Sequence, residues 1–320
     1  YEYNLGDDSW KQSSKLMSME TAKIFFKKAI SHCIEHDLED INIGLHGGEP
    51  LLYPVEGLRK ILSHFQKYAD KNGIEINFNV QTNGTLLDEK FIDLFEEFGV
   101  LVSVSIDGNK EANDRFRLYH NNKSSFDDLM RGVNLIQNKA PDLLVGILSV
   151  IDIRNDPLET FDFLADFNVP NVDFMLPLNN WENPPLRLDK KGYDYGEWYW
   201  KIYKEWVNGK HSSVEIRFLT NIISKLLGGY AIYEVMTLDP VCLLTINSDG
   251  LIEGVDTMKS SASGLQKTGL NVFTNEISDV FTHDIVIQRQ IGSKALSKKC
   301  KDCSELKICS GGYYPHRFSK

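Results

Sequence analysis

The chain has 320 residues and a mass of 36.5 kDa, and its 45 acidic against 35 basic side chains leave a formal charge of −10. With 42% hydrophobic and 25% charged residues it has the balance of a globular protein, which excludes collagen, coiled coil, disorder and a disulfide-dense miniprotein. No apolar run reaches the roughly 18 residues of a bilayer span, no secretory segment opens the chain, and the acidic charge argues against nucleic acid or an anionic membrane as main partner.

The length predicts about two domains, or one large α/β unit with an appendage. In chain order, Ser18 is placed to cap a helix over 19–35, with Glu20 near its positive end. A short apolar strand over 41–45 runs into Gly47-Gly48-Glu49-Pro50. A helix over 55–71 stops at Asn72-Gly73. The alternation of Ile74, Ile76, Phe78 and Val80 predicts a strand ending at Thr82-Asn83-Gly84. A helix over 88–98 closes with Gly99, and a strand over 101–106 ends at Asp107-Gly108. Ser125 is placed to cap a helix with Asp127 and Asp128 in its first turn. A strand over 143–151 follows, then a helix opened by Asp156-Pro157, then a strand over 172–176.

These make five βα-type repeats in parallel-sheet order. Such folds bind ligands at the C-terminal ends of their strands, which here carry Gly, Asn, Asp or Ser. The site is therefore expected near 47–49, Asn83, 105–107 and 176–178. Beyond Asn179 the residues 192–208 predict an aromatic helix carrying Tyr193, Tyr195, Trp198, Tyr199, Trp200, Tyr203 and Trp206. Core packing is the reading for that stripe, with a peptide groove as the alternative. A helix over 221–227 ends at Gly228-Gly229; after about 235 the chain turns irregular, with a hairpin signal at Asn247-Ser248-Asp249-Gly250. The expected division is 1–235 and 236–320.

The five cysteines are Cys33, Cys242, Cys300, Cys303 and Cys309, the last three as C-x2-C-x5-C just ahead of Gly311-Gly312. Thiolates this close converge on a soft metal, either zinc or an iron–sulfur cluster, and need a fourth ligand from Cys242 or beyond Lys320. Cys33 stands alone in a helical stretch and reads as a buried, inert thiol. In Gly47-Gly48-Glu49-Pro50 the glycines let a ligand approach the backbone and the carboxylate suits an ammonium group; a tight turn is the alternative. Neither phosphate-loop pattern occurs.

Three runs resemble the radical S-adenosylmethionine (SAM) enzymes: Gly47-Gly48-Glu49-Pro50-Leu51-Leu52, Gln81-Thr82-Asn83-Gly84-Thr85, and Val104-Ser105-Ile106-Asp107-Gly108, with Asn113-Asp114 ahead of Arg117. The tail Cys300-x2-Cys303-x5-Cys309-Ser310-Gly311-Gly312 resembles their SPASM-type extension. Tyr1-Glu2-Tyr3, Asp8-Ser9-Trp10 and Gly312-Tyr313-Tyr314-Pro315-His316-Arg317-Phe318-Ser319 are similar to the cyclophane-forming maturases of ribosomally made peptides, relatives of the anaerobic sulfatase maturases. The resemblance implies an α/β fold: a partial (β/α)6 TIM-type barrel over 1–235, with a SPASM/twitch-like auxiliary iron–sulfur subdomain over 236–320. Five strands fall in this sequence, and the resemblance places a first strand upstream. The superfamily's C-x3-C-x2-C loop is absent from residues 1–320 and is expected just before Tyr1.

The implied cofactors are SAM, a [4Fe-4S] cluster held by cysteines upstream of residue 1, and one or two auxiliary iron–sulfur clusters. By resemblance, Gly47 and Gly48 would contact the methionyl part of SAM and Glu49 its amine. Ser105 and Arg117 would hold the ribose and carboxylate region, and Leu178 would pack near the adenine. Cys300, Cys303 and Cys309 would bind auxiliary iron, with Cys242 a candidate further ligand; Val255 and Tyr313 stand where the family often has cysteines. Asp256 matches the general base of the sulfatase-maturase branch, and such a base is needed because bond formation after hydrogen abstraction also releases a proton and an electron.

The implied activity is hydrogen abstraction from a side-chain carbon of a precursor peptide, then a crosslink to an aromatic residue. A thioether-forming or a formylglycine-generating maturase is the alternative, and a non-catalytic iron–sulfur or zinc peptide-binding protein is the reading from another class. The expected partners are a precursor peptide and a reductant such as flavodoxin or ferredoxin, without nucleic acid or membrane, in the cytoplasm.

Overall fold

The computed structural model describes residues 7–189, 192–241 and 243–319. Tyr1-Glu2-Tyr3 and Cys242 lie outside the described residues. Helix α1 (Met19–Glu35) starts where Ser18 Oγ accepts the Thr21 amide at 3.0 Å, which satisfies one of the free donors of the first turn. Its inner face buries Ala22, Phe26, Ala29, Ile30 and Cys33. Burial pushes the Cys33 thiol up, the expected state of an inert core cysteine.

Strand β1 (Asp40–Leu45), helix α2 (Val55–Asn72) and strand β2 (Glu75–Thr82) form the first parallel unit. Gly73 ends α2 at φ +69°, a left-handed turn that a side chain would strain. Helix α3 (Glu89–Phe98) is capped by Asp88, whose Oδ1 accepts the Phe91 amide at 3.0 Å. Strand β3 (Leu101–Ser105), the short α4 (Lys110–Asp114), helix α5 (Phe126–Lys139) and strand β4 (Leu144–Val150) follow. Asp156 caps α6 (Pro157–Ala165) by accepting the Leu158 and Glu159 amides, and β5 (Asn171–Met175) completes the sheet.

All five strands are parallel and lie side by side in chain order, β1-β2-β3-β4-β5. A doubly wound sheet reverses its order partway; an unreversed order is that of a barrel segment. The helices bury their apolar faces on this sheet. Phe26 of α1 stacks on Phe65 of α2 with ring centroids 4.1 Å apart, and both are buried with Leu62, Phe95 and Val104 in one core cluster. Truncating Phe26 to Ala would leave a cavity there and cost about 3–5 kcal/mol.

One expected cap is corrected. Ser125 occupies the N-cap position of α5, but its backbone is already helical (φ −96°, ψ −2°) and its side chain caps nothing. Instead its Oγ donates to the Arg117 carbonyl at 2.5 Å, while Ser124 Oγ accepts the Phe126 amide at 3.2 Å. The serine therefore pins the Arg117 loop.

Helix α7 (Asp194–Val207) divides its aromatic stripe: Trp198 and Tyr199 are buried, whereas Tyr193 and Trp200 are 64% and 56% exposed. The buried members are tied down as well as packed. Tyr199 donates to the Phe174 carbonyl on β5, and Trp198 Nε1 donates to the Asn155 carbonyl at 3.2 Å. Core packing thus claims the inward half of the stripe. Helix α8 (Arg217–Leu226) begins four residues before the expected 221, because Arg217 is anchored from outside the helix, on Asp173 of β5 (Nε to Oδ2 2.9 Å).

Strands β6 (Thr245–Ile246) and β7 (Leu251–Glu253) pair antiparallel around Asn247–Gly250, with Gly250 at φ +84°. Strand β8 (Lys267–Asn271) adds a third member that the sequence pattern did not predict. Ile252, Met258, Val272 and Val280 form a second apolar cluster, against which Ile24 and Phe25 of α1 pack. Lys28 Nζ reinforces that seam, reaching the Asn275 carbonyl at 2.6 Å and Glu276 at 3.0 Å. Short helices α9 (Asp284–Ile287), α10 (Lys298–Lys301) and α11 (Leu306–Cys309) carry the chain to its tail. Among the described residues no helix is long and apolar enough to cross a membrane.

Candidate functional site

Gly47, Gly48, Glu49, Ser105, Arg117 and Leu178, singled out from sequence, lie at or beyond the C-terminal ends of the strands along one edge of the sheet. Gly47, two residues past β1, takes φ +109° and turns the chain; Gly48 is exposed, and a Cβ built there meets no heavy atom within 4 Å. The backbone at Gly48 therefore faces open space at the mouth of the site. Glu49 is not a freely swinging carboxylate. Its Oε1 accepts from the Leu51 amide (3.0 Å) and Thr82 Oγ1 (2.6 Å), and its Oε2 accepts from the Asn83 amide (2.9 Å). The carboxylate thereby locks the β1 loop to the end of β2. Asn83 in turn accepts from the amide and hydroxyl of Thr85 at 2.9 and 2.8 Å.

The next strand ends are joined in the same manner. Gln81 Nε2 donates to Ser105 Oγ at 2.9 Å, linking β2 to β3. Arg117 grips Asp107 with two bonds, Nε to Oδ2 at 2.6 Å and Nη2 to Oδ1 at 3.0 Å. Asp107 is 4% exposed and also accepts the Val150 amide at 2.9 Å, linking β3 to β4. A buried carboxylate is tolerated only with such partners, so this pair orders the loop after β3. Ser105 and Arg117 are thus both at the edge, each already engaged with a neighbour.

Sequence reasoning passed over Asp152, two residues beyond β4. Burial would raise its pKa, but hydrogen bonds from Arg154 (Nε to Oδ1 2.7 Å) and Arg115 (Nη1 to Oδ2 2.5 Å) outweigh that and hold the carboxyl below its usual value. Beside it lies a cleft of about 360 Å³ lined by Arg154, Asn155, Asp194, Glu197, Trp198 and Lys201. The signal was present: β4, like β3, runs into an aspartate. Gln81 stands out in the sequence only as part of a motif, and its bond to Ser105 is a contact across 24 residues.

Leu178 is half-buried in the loop after β5, and the C-terminal segment is fastened to that loop. Asn180 Nδ2 donates to the Ser260 carbonyl (3.3 Å), the Trp181 amide to the Phe318 carbonyl (3.2 Å), and the His316 ring bonds the Pro177 carbonyl. Burial outweighs that last bond and lowers the His316 pKa, so the ring is neutral near pH 7. Asp256 opens the 3-10 turn that ends at Ser260 and is half-buried. Next to it, Thr257 Oγ1 and the Tyr313 hydroxyl are hydrogen-bonded at 2.7 Å. Burial raises the pKa of Tyr313, opposed by that bond and by Arg289, with the charge of Asp256 adding to the rise. Val255 and Tyr313 are both buried.

Cys300 is half-buried, and Cys303 and Cys309 are exposed, on and between α10 and α11. Ser310, Gly311 and Gly312 follow with φ of +53°, +79° and +72°, a run of left-handed turns suited to glycine. Arg317 Nε bonds the Gly312 carbonyl at 3.0 Å and holds this turn. Arg317 brings positive charge near Cys300 and Cys309, and Lys225 near Cys309. These thiols lie on one stretch of the C-terminal segment, but their three Sγ atoms do not all come within 4.8 Å of one another, so the fold places them near each other without converging them.

Residues 26–166 match the family profile described as the Radical SAM superfamily. Over 332 aligned residues the chain is 26% identical to the Cysteine-type anaerobic sulfatase-maturating enzyme of Clostridium novyi, covering 98% of this chain and 82% of that protein. The Serine-type anaerobic sulfatase-maturating enzyme of Bacteroides thetaiotaomicron is 25% identical, with 86% and 69% covered. Among solved structures, native anSMEcpe with bound AdoMet and Kp18Cys peptide superimposes with a TM-score of 0.81 at 22% identity, over 95% of this chain and 83% of that one. Streptococcus suis SuiB bound to precursor peptide SuiA gives 0.51 at 16% identity, over 93% and 68%. The structural likenesses show a shared fold. Residues 26–166 carry a radical SAM domain, and the chain is an enzyme.

Proposed function

We propose that this chain is a radical SAM maturase of a ribosomally made precursor peptide, one that crosslinks a side-chain carbon to an aromatic residue. The observation that carries the reading is the strand-edge cradle of Gly47, Gly48 and Glu49 within a radical SAM domain whose curated relatives modify proteins by name. The cradle suits SAM: the open backbone at Gly48 gives an extended amino-acid moiety room to lie close, and the anchored Glu49 presents negative charge to its ammonium group. In this reading Ser105 and Arg117 border the ribose and carboxylate, and Leu178 borders the adenine.

When bound, SAM and its iron–sulfur cluster supply a 5′-deoxyadenosyl radical, and an auxiliary cluster supplies an electron acceptor. The residues of this chain bind, orient and exclude water. Asp256 is the assigned proton acceptor for the step that restores the aromatic ring, with the Thr257–Tyr313 pair fixing the turn that carries it. Cys300, Cys303 and Cys309 are the assigned auxiliary ligands, joined by Cys242 or by residues beyond Lys320. The SAM-cleaving cluster requires a C-x3-C-x2-C loop, which residues 1–320 do not contain. The division at 235/236 and the SPASM-like character of 236–320 belong to the same proposal, supported by the separate apolar cluster around Ile252 and Val272. So do the reductant, flavodoxin or ferredoxin, and a reducing cytoplasmic setting.

The test is anaerobic turnover of the full-length gene product with SAM and the small peptide encoded beside it. Release of 5′-deoxyadenosine with loss of two hydrogens from a peptide that still alkylates fully at any cysteine supports a carbon crosslink. Loss of thiol alkylation with the same mass change would assign a thioether instead, and a hydrazine-reactive aldehyde would assign formylglycine. No deoxyadenosine from cluster-loaded protein would refute the class of chemistry.

A further inference from the structure

The last turn of α1 lies at the other end of the sheet from the proposed SAM site. The chain leaves α1 at His36 and enters β1 at Asp40, so this turn stands at the N-terminal edge, about 20 Å from the Gly47–Glu49 loop given the rise along β1. There His32, Glu35 and His36 share one helix face at i, i+3 and i+4. One ligand atom from each, two imidazole nitrogens and a carboxylate oxygen, lies within 4.8 Å of the others, and no second such group of His, Cys, Asp or Glu occurs among the described residues. The two imidazole rings are 4.3 Å apart.

Two further observations point to a ligand rather than to chance. His32 Nδ1 is shut off from water and makes no hydrogen bond, so nothing in the protein compensates it. The ring is held between His36 and Phe281, whose centroid is 6.0 Å away, and is therefore oriented. The carbonyl end of α1 and the side chains of Asp37, Glu39 and Asp40 add negative potential for a cation. Cys33 lies between the histidines in sequence but is 2% exposed and belongs to the core, so it is not a fourth ligand.

We infer that His32, Glu35 and His36 form a surface site for a divalent transition-metal ion, zinc foremost, separate from any iron site. Two imidazoles and a carboxylate with water completing the sphere are a borderline-soft set that suits zinc, nickel or copper over magnesium or calcium. The bound ion closes the last turn of α1. Through the His32–Phe281 contact it also steadies the seam between α1 and the 3-10 turn Ile277–Thr282.

The test is calorimetric titration of the iron-loaded full chain with Zn2+ alone, beside the His36→Ala and Glu35→Gln variants. Both residues are exposed, so the variants keep the fold, and every cysteine is unchanged in them. The expected result is one Zn2+ per chain that binds at least about tenfold more weakly in His36→Ala, with a smaller loss in Glu35→Gln. Zinc should raise the melting midpoint of the parent chain and not that of His36→Ala. Equal zinc affinity and stoichiometry in parent and His36→Ala would overturn the site, whatever the outcome for SAM.

Discussion

Substitution of Gly48 by alanine separates a ligand effect from a folding effect. The new methyl meets no heavy atom within 4 Å, and Gly48 is not among the left-handed glycines, so the folded chain accommodates it without strain. Losing a glycine also narrows the unfolded ensemble, which favours the fold by about 0.4–1 kcal/mol. If the methionyl group of SAM lies against this backbone, the methyl occupies its place, and affinity should fall about tenfold, or about 1.4 kcal/mol. Gly47→Ala is the contrasting control. At φ +109° its Cβ is strained by about 1–3 kcal/mol, so this variant should lose stability as well as affinity. The assay is anaerobic equilibrium binding of SAM to cluster-loaded full-length protein, with thermal unfolding of the same samples. Gly48→Ala protein that melts like the parent and binds SAM within twofold of it would refute the cradle.

Glu49→Gln replaces one acceptor oxygen by a donor facing an amide or the Thr82 hydroxyl; a lost hydrogen bond to a charged group costs about 1.5–3 kcal/mol, so melting should drop and SAM binding weaken together. Asp256→Asn should leave deoxyadenosine release intact while lowering crosslinked product about 100-fold or more, and full product yield would remove the residue from catalysis. Cys303→Ala should lower the iron content of reconstituted protein, and unchanged iron would exclude it as a ligand. Asp152 is held below its usual 3.8 by Arg154 and Arg115, so its stabilising share is present above that value and lost as the pH falls through the lowered one. The stability gap between parent and Asp152→Asn in denaturant titrations should therefore be level near neutrality and shrink below pH 3.8, and a gap that stays level in acid would contradict the ion pair's role.

Where a boundary is set by one residue and its immediate neighbours, the sequence was enough to place it. Ser18, Asp88 and Asp156 cap α1, α3 and α6, and Gly73 and Gly99 stop α2 and α3, all through contacts within a few residues. Where a boundary depends on a distant partner, pattern reading failed. Helix α8 begins at Arg217 behind the uncapped Ile216, held by a carboxylate 44 residues away. Strand β8 has a left-handed Gly269 in its middle and no clean alternation; it exists because β7 offers it an edge. Ser125 has the composition of a cap, but its backbone is committed to the helix and its hydroxyl to Arg117.

The same distinction explains why the site's residues were legible while its construction was not. Glu49, Asn83, Ser105, Asp107 and Arg117 stand out singly as polar residues at strand ends. What the folded chain adds is that each strand end is stitched to the next: Glu49 joins β1 to β2, Gln81 joins β2 to β3, and Asp107 joins β3 to β4. The fourth seam needs no side chain, because the Ile151 amide reaches the Met175 carbonyl at 2.9 Å and joins β4 to β5 directly. Such a rim fixes the ligand-facing loops before any ligand arrives, which is the arrangement that makes bound geometry inexpensive in entropy. It also ties the outcome of one substitution to the next. Gln81 and Thr82 are adjacent on β2, one bonded to Ser105 and the other to Glu49, so a change at Glu49 reaches the β3 end through a single residue step, and effects measured at Glu49 and Ser105 belong to one network rather than to two contacts.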